Sequence, residues 1–291
     1  ILDLNQKNCL HKFPKRNFAL LGFCCDAGVI RNQGRPGAKE GPQALRKMLS
    51  SLPLHHELTI YDAGNIICEG DDLEAAQQQL GSVTEQLTQA GLNVIVLGGG
   101  HEVAWGHYQG IAKTTTNKKL GIINFDAHFD LRPLANNKGS SGTPFLQVAN
   151  ARGHDNFHYC CVGIQDTANT PSLFKQAKAL NVNTIHADEF HNDLSAVEEK
   201  LKTFSEPFDT LYVTVCMDVF AHAIAPGVSA PQANGLFAHH VIHLIKLLAR
   251  QNKPVYFDIA ELSPCHDVDN QTARLAAACL YQFIATYQEQ L

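Results

Sequence analysis

The sequence predicts an α/β protein, a three-layer α/β/α sandwich around a mostly parallel, doubly wound sheet. Three observations support this fold class. Short apolar runs recur along the chain, segments with helical periodicity separate them, and acids or histidines directly follow several of the runs. We expect a single domain over residues 1–291, because neither a linker nor an internal repeat interrupts the pattern.

Six apolar runs, each bounded by turn residues, predict strands that are buried on both faces, as is typical of a parallel sheet. They occupy residues 18–25, 93–100, 119–128, 157–164, 210–219 and 253–262. Helical periodicity is clearest at residues 72–91, 234–251 and 272–291, the last of which should close the chain as a helix. Sheets of this class bind ligands outside the carboxyl ends of their strands, so the polar residues that follow the runs are the candidates for a functional site.

Composition and charge exclude several classes of function. Of the 291 residues 45% are apolar and 18% charged, as in ordinary globular proteins, and the formal net charge of −5 offers no basic stripe for nucleic acid. No apolar run approaches the roughly 18 to 20 residues that would span a bilayer, so we expect neither a nucleic-acid nor a membrane partner. The nine cysteines are scattered and suit buried reduced thiols. Because reduced thiols are typical of the cytosol, we expect a cytoplasmic protein.

The stretch NFDAHFDLR, residues 124–132, has Asp126, His128 and Asp130 at alternate positions after an apolar run. In an extended segment this alternation puts the three side chains on one side. Such groups are costly when buried and unpaired, and a divalent cation removes that cost. Mixed carboxylate and imidazole ligands suit Mn²⁺, Zn²⁺, Fe²⁺ or Ni²⁺. The pattern favours a metal site, and the alternative is a solvated strand end with a structural histidine.

Three further strand ends carry residues of the same kinds. His101 follows the glycines of GGGHE, Cys216 and Asp218 lie in VTVCMDVF, and Glu261 lies in YFDIAEL. The three glycines could instead form a phosphate-binding turn, but neither the Walker spacing nor the dinucleotide fingerprint is present. We therefore predict that the glycines permit a close backbone turn that brings His101 to the triplet.

The ordered motifs GGGHE, NFDAHFD, SSGTPF, APGVSAP and DIAELSP resemble the ureohydrolase superfamily of arginase and agmatinase. The stretches GVIRNQGRPGAKEGPQALR, SSGTPF, GIQDTANT and TARLAA are most similar to its formimidoylglutamase branch. The resemblance covers about residues 18–285. It implies an arginase-like fold, a homo-oligomer, and metal-dependent hydrolysis of N-formimidoyl-L-glutamate, a small molecule of histidine degradation, to L-glutamate and formamide.

The resemblance also implies two Mn²⁺ ions. Their ligands would be His101, Asp126 and Asp130 for one ion and Asp126, His128 and Asp218 for the other. The family carries a further, bridging aspartate where this chain has Cys216, because eleven residues run from Cys216 through Pro226, the spacing that the family shows. A thiolate offers one soft sulfur in place of two oxygens, which favours a softer metal, partial occupancy or a single ion. The alternative is a neutral buried thiol that binds no metal.

Two residues are implied to take part in catalysis. Asp130, besides its role as a ligand, would take the proton of the attacking water and pass it to the leaving amine. Glu261 would accept hydrogen bonds from the cationic N–H groups of the substrate. The alternative for Glu261 is a surface acid at a strand end.

The two carboxylates of a formimidoyl-glutamate need hydrogen-bond donors in the pocket. The nearest candidates are Asn32, Arg35, Arg132, Ser141 and Thr143. Arginase has a histidine where Ser141 stands, which argues against arginase activity. Arg35 and Arg132 could instead pair with a nearby acid such as Glu40 or Asp130.

Three hypotheses follow from the sequence. The first is a metal-dependent formimidoylglutamate hydrolase, and the second is another amidine or guanidine hydrolase such as an agmatinase. The third is a metal-poor, catalytically silent member of the family. A substrate panel separates the first two, and metal analysis addresses the third.

Overall fold

A computed structural model describes residues 17–55, 58–251 and 253–289 of the chain. Within these ranges one sheet of parallel strands is present, in the order β2-β1-β3-β8-β7-β4-β5-β6. The strands are β1 (Phe18–Cys24), β2 (Ile60–Ile67), β3 (Asn93–Leu97), β4 (Leu120–Phe125), β5 (His158–Ile164), β6 (Asn183–His186), β7 (Thr210–Cys216) and β8 (Val255–Ala260).

Helices cover both faces of the sheet. They are α1 (Ala27–Arg31), α2 (Gly41–Leu49), α3 (Leu73–Gln89), α4 (Val103–Thr114), α5 (Pro144–Arg152), α6 (Pro171–Ala179), α7 (Glu189–Asn192), α8 (Leu194–Ser205), α9 (Ala238–Ala249) and α10 (Gln271–Gln288). None of these helices is both long and apolar enough to span a membrane. The three-layer α/β/α sandwich predicted from the sequence is confirmed.

Alternate residues of β1 lie in two different cores. Phe18 and Leu20 pack in the core that contains side chains of α2, α8, α9 and α10, whereas Ala19 and Leu21 pack in a core with α3. The α4, α5 and α6 helices contribute to a third cluster, together with side chains of β4, β5 and β7. The interior strands are therefore buried on both faces, as their continuous apolar runs predict.

The six strands predicted from apolar runs are all present and form the interior of the sheet. Sequence analysis missed β2 and β6, which are the two edge strands. Only one residue of each is buried, Ile66 in β2 and Ile185 in β6. An edge strand that is partly exposed does not need a continuous apolar run, so the signal used for the interior strands is absent from both.

The three predicted helices are also present, each slightly shorter than its periodic segment. The first is α3, the second α9 and the third α10. The described residues do not include residues 290–291 of the third segment. They also do not include residues 1–16 of the predicted single domain. The cysteines in the described part of the chain are free thiols, and five of these eight are buried as predicted. Cys24 and Cys68 are instead partly exposed, and Cys265 is exposed.

Candidate metal centre

The predicted metal ligands and Glu261 follow four adjacent strands in the middle of the sheet. His101 follows β3, Glu261 follows β8, Cys216 and Asp218 come from the end of β7, and the NFDAHFD stretch follows β4. All four strands are parallel, so these residues meet at the carboxyl edge of the sheet. A cavity of about 280 Å³ opens there, and its lining includes Asn32, Arg35, His101, His128, Asp130, Arg132, Ser141, Cys216, Asp218 and Glu261.

The predicted extended course of residues 126–130 is wrong. Strand β4 ends at Phe125, and the Asp126 carboxylate folds back to accept a hydrogen bond from the backbone N–H of His128 (2.7 Å). Asp130 then adopts a left-handed backbone with φ +50°. Few residues other than glycine do so, and such strain is concentrated at functional sites. The side chains of Asp126, His128 and Asp130 do converge, but a turn rather than strand alternation brings them together.

The glycines of GGGHE permit a very close approach of backbone segments, as predicted. A Cβ atom on Gly99 would lie 1.8 Å from the carbonyl oxygen of Cys25, and one on Gly100 would lie 2.1 Å from Glu102 Oε2. Only residues without a side chain fit these positions. The chain therefore turns tightly after β3 and directs His101 into the site.

His101 faces the carboxylates of the NFDAHFD stretch through its Nδ1 atom. This atom lies 2.8 Å from Asp126 Oδ2 and 2.9 Å from Asp130 Oδ2. Its other ring nitrogen, Nε2, is 3.0 Å from the hydroxyl oxygen of Thr214 in β7, which fixes the orientation of the ring. Sequence analysis missed Thr214, although it precedes Cys216 by two residues and therefore shares its face of the strand.

Two sets of potential metal ligands share Asp126. One set consists of His101, Asp126 and Cys216, and the other of Asp126, His128 and Asp218, with the ligand atoms of each set within 4.8 Å of one another. Asp130 is outside both sets and joins the site through its contact with His101.

The residues present fit a divalent metal. His101 Nδ1 is close to two carboxylates, yet neither contact has the geometry of a hydrogen bond, and Asp218 Oδ1 is buried without a hydrogen-bond partner. Buried polar atoms are normally paired, so donors that point into a shared space without pairing indicate a common ligand. Carboxylate, imidazole and sulfur are all established ligands of transition metals.

Negative charge is concentrated in this site. Burial and the charge of Asp126 raise the pKa of Asp130 to about 6, and they also raise the pKa of Asp218. The pKa of Cys216 is raised far above its usual value by burial and by the nearby carboxylates. Burial lowers the pKa of His101, but the carboxylates of Asp126 and Asp130 outweigh this effect and raise it overall. A bound cation would relieve the repulsion between these acids.

Glu261 is buried, which excludes the alternative of a surface acid. Its Oε1 accepts a hydrogen bond from the backbone N–H of His101 (3.0 Å), and its Oε2 accepts one from the hydroxyl of Ser229. Burial and the charge of Asp218 raise its pKa to about 8. Like Asp130, it has a left-handed backbone, with φ +67°. Both residues predicted to be catalytic therefore have strained backbones beside the cavity.

The two candidate arginines are used differently. Arg35 donates hydrogen bonds from Nε to the carbonyl oxygen of Ser229 (3.2 Å) and from Nη2 to that of Val228, so it anchors a neighbouring loop. Arg132 lies at the mouth of the cavity, and its guanidinium forms no hydrogen bond or ion pair with the described residues. Within the same ranges neither arginine pairs with an acid, contrary to the alternative drawn from the sequence.

The SSGTPF turn contributes one lining residue. Ser141 lines the cavity, and its backbone N–H donates to the carbonyl oxygen of Gly28 (3.1 Å). Thr143 does not line it, because its hydroxyl bonds to Gln147 Oε1 (2.8 Å) and accepts from the backbone N–H of Ser140 (2.9 Å). The substrate contact predicted for Thr143 would need this turn to open. Sequence analysis missed the lining residues Gln33 and Asn169.

A family model described as the arginase family matches residues 16–285. The chain belongs to the arginase family. The motifs that resembled this family in the sequence are thus part of a match over almost the whole chain, and the ligand sets around Asp126 are the candidate metal centre of an arginase-family protein.

Known arginase-family proteins resemble this chain closely. The formimidoylglutamase of Legionella pneumophila (strain Lens) is 45% identical over 286 residues, which are 97% of this chain and 88% of that protein. The formimidoylglutamase of Clostridium tetani is 44% identical over 294 residues, covering 98% of this chain and 87% of that protein. A crystal structure of Trypanosoma cruzi formiminoglutamase with Mn²⁺ superimposes with a TM-score of 0.85 at 25% identity, and the match covers 94% of each chain.

Proposed function

We propose that this arginase-family chain hydrolyses N-formimidoyl-L-glutamate to L-glutamate and formamide. One observation supports this function above the others. Two sets of acid and imidazole side chains, one of them with the thiol of Cys216, share Asp126 beside a cavity. The exposed guanidinium of Arg132, which has no partner among the described residues, lines the same cavity. The name formimidoylglutamase carried by relatives at 44–45% identity supports the choice of substrate.

The metal ions of this site would be held by the two ligand sets, and we propose Mn²⁺ for at least one of them, as in the T. cruzi structure. When bound, a divalent ion lowers the pKa of water from 15.7 toward about 7 and so supplies a nucleophile at neutral pH. The nearby carboxylates of Asp126, Asp130 and Asp218 favour such an ion by their charge.

Asp130 is our candidate for proton transfer. Water adds to the planar amidine carbon, and the bond from that carbon to the amine of glutamate then breaks. The carboxylate of Asp130 borders the cavity beside His101, and its pKa of about 6 allows it to accept and release a proton near neutral pH. We propose that it takes the proton from the attacking water and delivers it to the departing amine.

Glu261 is our candidate for orienting the formimidoyl group. Its two oxygens already accept hydrogen bonds from the His101 backbone and from Ser229, which fix the carboxyl group at the base of the cavity. A cationic substrate favours the ionised form of Glu261, and each carboxylate oxygen has a second lone pair, so Glu261 can also accept from the cationic N–H groups of the substrate.

Recognition of the carboxylates is assigned to Arg132 rather than Arg35. Arg35 uses two of its nitrogens on backbone carbonyls, whereas Arg132 keeps its guanidinium available at the cavity mouth. A guanidinium binds a carboxylate through two parallel hydrogen bonds. Asn32 and Ser141 line the same cavity and can add neutral donors. Agmatine has a cationic amine and no carboxylate, so Arg132 would repel it.

The experiment is a substrate panel on the Mn²⁺-loaded protein, with its metal content measured in the same preparation. We expect formamide and glutamate from N-formimidoyl-L-glutamate, and little urea from arginine or agmatine. Urea release from agmatine or arginine at a comparable rate would contradict the proposal. Protein that contains metal but hydrolyses none of these substrates would contradict it as well.

A further inference from the structure

We propose that Cys216 makes the two halves of the metal centre chemically different. The half formed by His101, Asp126 and Cys216 would select a softer ion such as Zn²⁺ or Co²⁺, whereas the half with His128 and Asp218 would accept Mn²⁺. This inference rests on the proposed metal-dependent hydrolase and concerns which metals that site selects.

The position of the Cys216 sulfur is fixed by the sheet. Cys216 is the last residue of β7, pairs with Ala260 of β8 in the parallel register, and is 1% exposed. Its Sγ atom lies in one group with a nitrogen of His101 and an oxygen of Asp126. The pairing of β7 with β8 fixes the direction of the Cα–Cβ bond of Cys216, and the side chain is buried against the site.

A second observation indicates that the sulfur faces a ligand. His101 Nε2 is occupied by Thr214, which leaves Nδ1 directed at the carboxylates, and this buried atom forms no hydrogen bond among the described residues. The ring nitrogen and the sulfur therefore border the same space without being paired to each other. An ion in that space would be bound by nitrogen, oxygen and sulfur.

The chemistry of the three donors then decides the preference. On binding an ion the Cys216 thiol would release its proton to water. The resulting thiolate is a soft ligand that binds Zn²⁺ at about 2.3 Å, whereas Mn²⁺ favours carboxylates, carbonyls and water. The sulfur is also a single donor atom, while the two oxygens of a carboxylate can each reach a different ion. The set of Asp126, His128 and Asp218 has no sulfur, so its preference for Mn²⁺ is unaffected.

Cys279 provides a matched control. It is a buried free thiol in α10, and it lies in an apolar core rather than near the metal centre. Replacing either cysteine removes one buried sulfur from the protein. Only the replacement of Cys216 should change the binding of metal.

The first experiment uses Co²⁺ as a spectroscopic probe of sulfur ligation. The full chain is stripped of metal with a chelator, dialysed and titrated with Co²⁺, and the near-ultraviolet absorption of a thiolate bound to Co²⁺ is recorded. We expect this absorption in the wild type and in Cys279→Ala, and its loss in Cys216→Ser. Its absence from the wild type, or its persistence in Cys216→Ser, would overturn the inference. Circular dichroism verifies that each variant is folded.

The second experiment compares metals and does not depend on Cys216→Ser. Wild type and Cys216→Asp are each titrated with Mn²⁺ and Zn²⁺, and binding is followed by calorimetry and elemental analysis. We expect the substitution to shift Mn²⁺ from about one to about two ions per chain and to weaken Zn²⁺ binding. Equal Mn²⁺ stoichiometry and affinity in the two proteins would also overturn the inference.

Neither readout requires catalysis, so the two proposals can fail separately. A protein that shows the Co²⁺ absorption but does not hydrolyse N-formimidoyl-L-glutamate would contradict the proposed substrate and support the role of Cys216. A protein that hydrolyses this substrate but lacks the Co²⁺ absorption would support the proposed substrate and contradict the role of Cys216.

Discussion

Two buried clusters of histidine and aspartate lie among the central strands of the sheet, and they differ in how their polar atoms are used. In the metal centre, His101 Nδ1 approaches Asp126 and Asp130 without forming a hydrogen bond. The second cluster, which we call the core cluster, consists of His107, Tyr212 and Asp258. There, His107 Nδ1 and the Tyr212 hydroxyl each lie 2.7 Å from Asp258 Oδ2.

The difference shows that residue type alone does not identify a metal site. Both clusters are buried apart from His128, whose side chain is 23% exposed, and both combine imidazole with carboxylate. In the core cluster two donors converge on one oxygen of Asp258, as in a structural network, while His107 Nε2 and Asp258 Oδ1 have no hydrogen-bond partner among the described residues. In the metal centre several carboxylates lie close together beside a cavity. A cation would relieve the repulsion between their charges. We expect the first cluster to determine stability and the second to determine function.

A cavity is not a sufficient criterion either. A cavity of about 380 Å³, larger than the one that borders the metal centre, lies at the amino ends of β3 and β8, at the opposite edge of the sheet. Its lining consists of apolar and neutral side chains and two lysines, with no acid, histidine or cysteine. The smaller cavity at the carboxyl edge has the reactive groups, so we assign the function to it on chemical grounds.

The largest expected effect is the loss of the metal centre in Asp126→Ala. Asp126 belongs to both ligand sets, so its removal should abolish binding of both ions and reduce hydrolysis to the background rate. The sheet should remain folded, because its apolar cores do not include Asp126, although the hydrogen bond from the His128 N–H is lost. Elemental analysis, circular dichroism and an activity assay check this expectation. Full metal content in the purified variant would show that Asp126 is not a shared ligand.

The opposite result is expected in the core cluster. His107→Ala leaves the buried carboxylate of Asp258 with one partner fewer, and we expect it to lower the free energy of unfolding by about 3–5 kcal/mol. The folded variant should still bind metal with the wild-type stoichiometry. Urea unfolding and metal titration measure the two quantities. As a control, His243→Ala removes an exposed histidine paired with Glu198 and should cost less than about 1 kcal/mol. Loss of metal from folded His107→Ala would show that the core cluster also supports metal binding.

A smaller effect, confined to substrate binding, is expected at the mouth of the functional cavity. Arg132→Ala should raise KM for N-formimidoyl-L-glutamate by about 10- to 100-fold, because a hydrogen bond to a charged group contributes roughly 1.5–3 kcal/mol. Stability and metal content should not change, since Arg132 has no partner in the described chain. Arg132→Lys should recover part of the affinity. An unchanged KM in Arg132→Ala would show that the carboxylates bind elsewhere.

The smallest effect is expected at Thr214, which lies on β7 between Tyr212 of the core cluster and Cys216 of the metal centre. Its hydroxyl oxygen lies 3.0 Å from His101 Nε2. Thr214→Val preserves the shape of the side chain, so we expect the free energy of unfolding to fall by only about 1 kcal/mol. The affinity for metal should fall by about tenfold. Calorimetric titration with Mn²⁺ and urea unfolding measure both. A stability loss as large as that of His107→Ala, with unchanged metal affinity, would assign Thr214 to the core cluster alone.

The interior of the fold and the residues of the candidate metal centre could be predicted from the sequence. The six interior strands produce continuous apolar runs because both of their faces are covered, and the side chains at their carboxyl ends must lie at one edge of a parallel sheet. The edge strands β2 and β6 produced no such signal, because only one residue of each is buried.

The details of the site depended on contacts that are distant in sequence. The left-handed backbones of Asp130 and Glu261 are not visible in residue type, and neither is the engagement of Arg35 with a loop almost 200 residues away. The position of Thr143 inside its own turn was equally hidden. Each of these conformations and contacts depends on the groups that lie nearby in the folded chain.

The sequence by itself therefore determined the fold class, the arginase-family resemblance and the identities of the candidate ligands, since these follow from periodic burial and from the chemistry of residues at strand ends. Only the tertiary structure decided how the ligands meet. It grouped Cys216 with His101 and Asp126, left Arg132 unpaired among the described residues, and closed the network of His107 with Asp258. Such distinctions depend on distances and directions between atoms. These are fixed only when strands that lie far apart in the chain pair with one another.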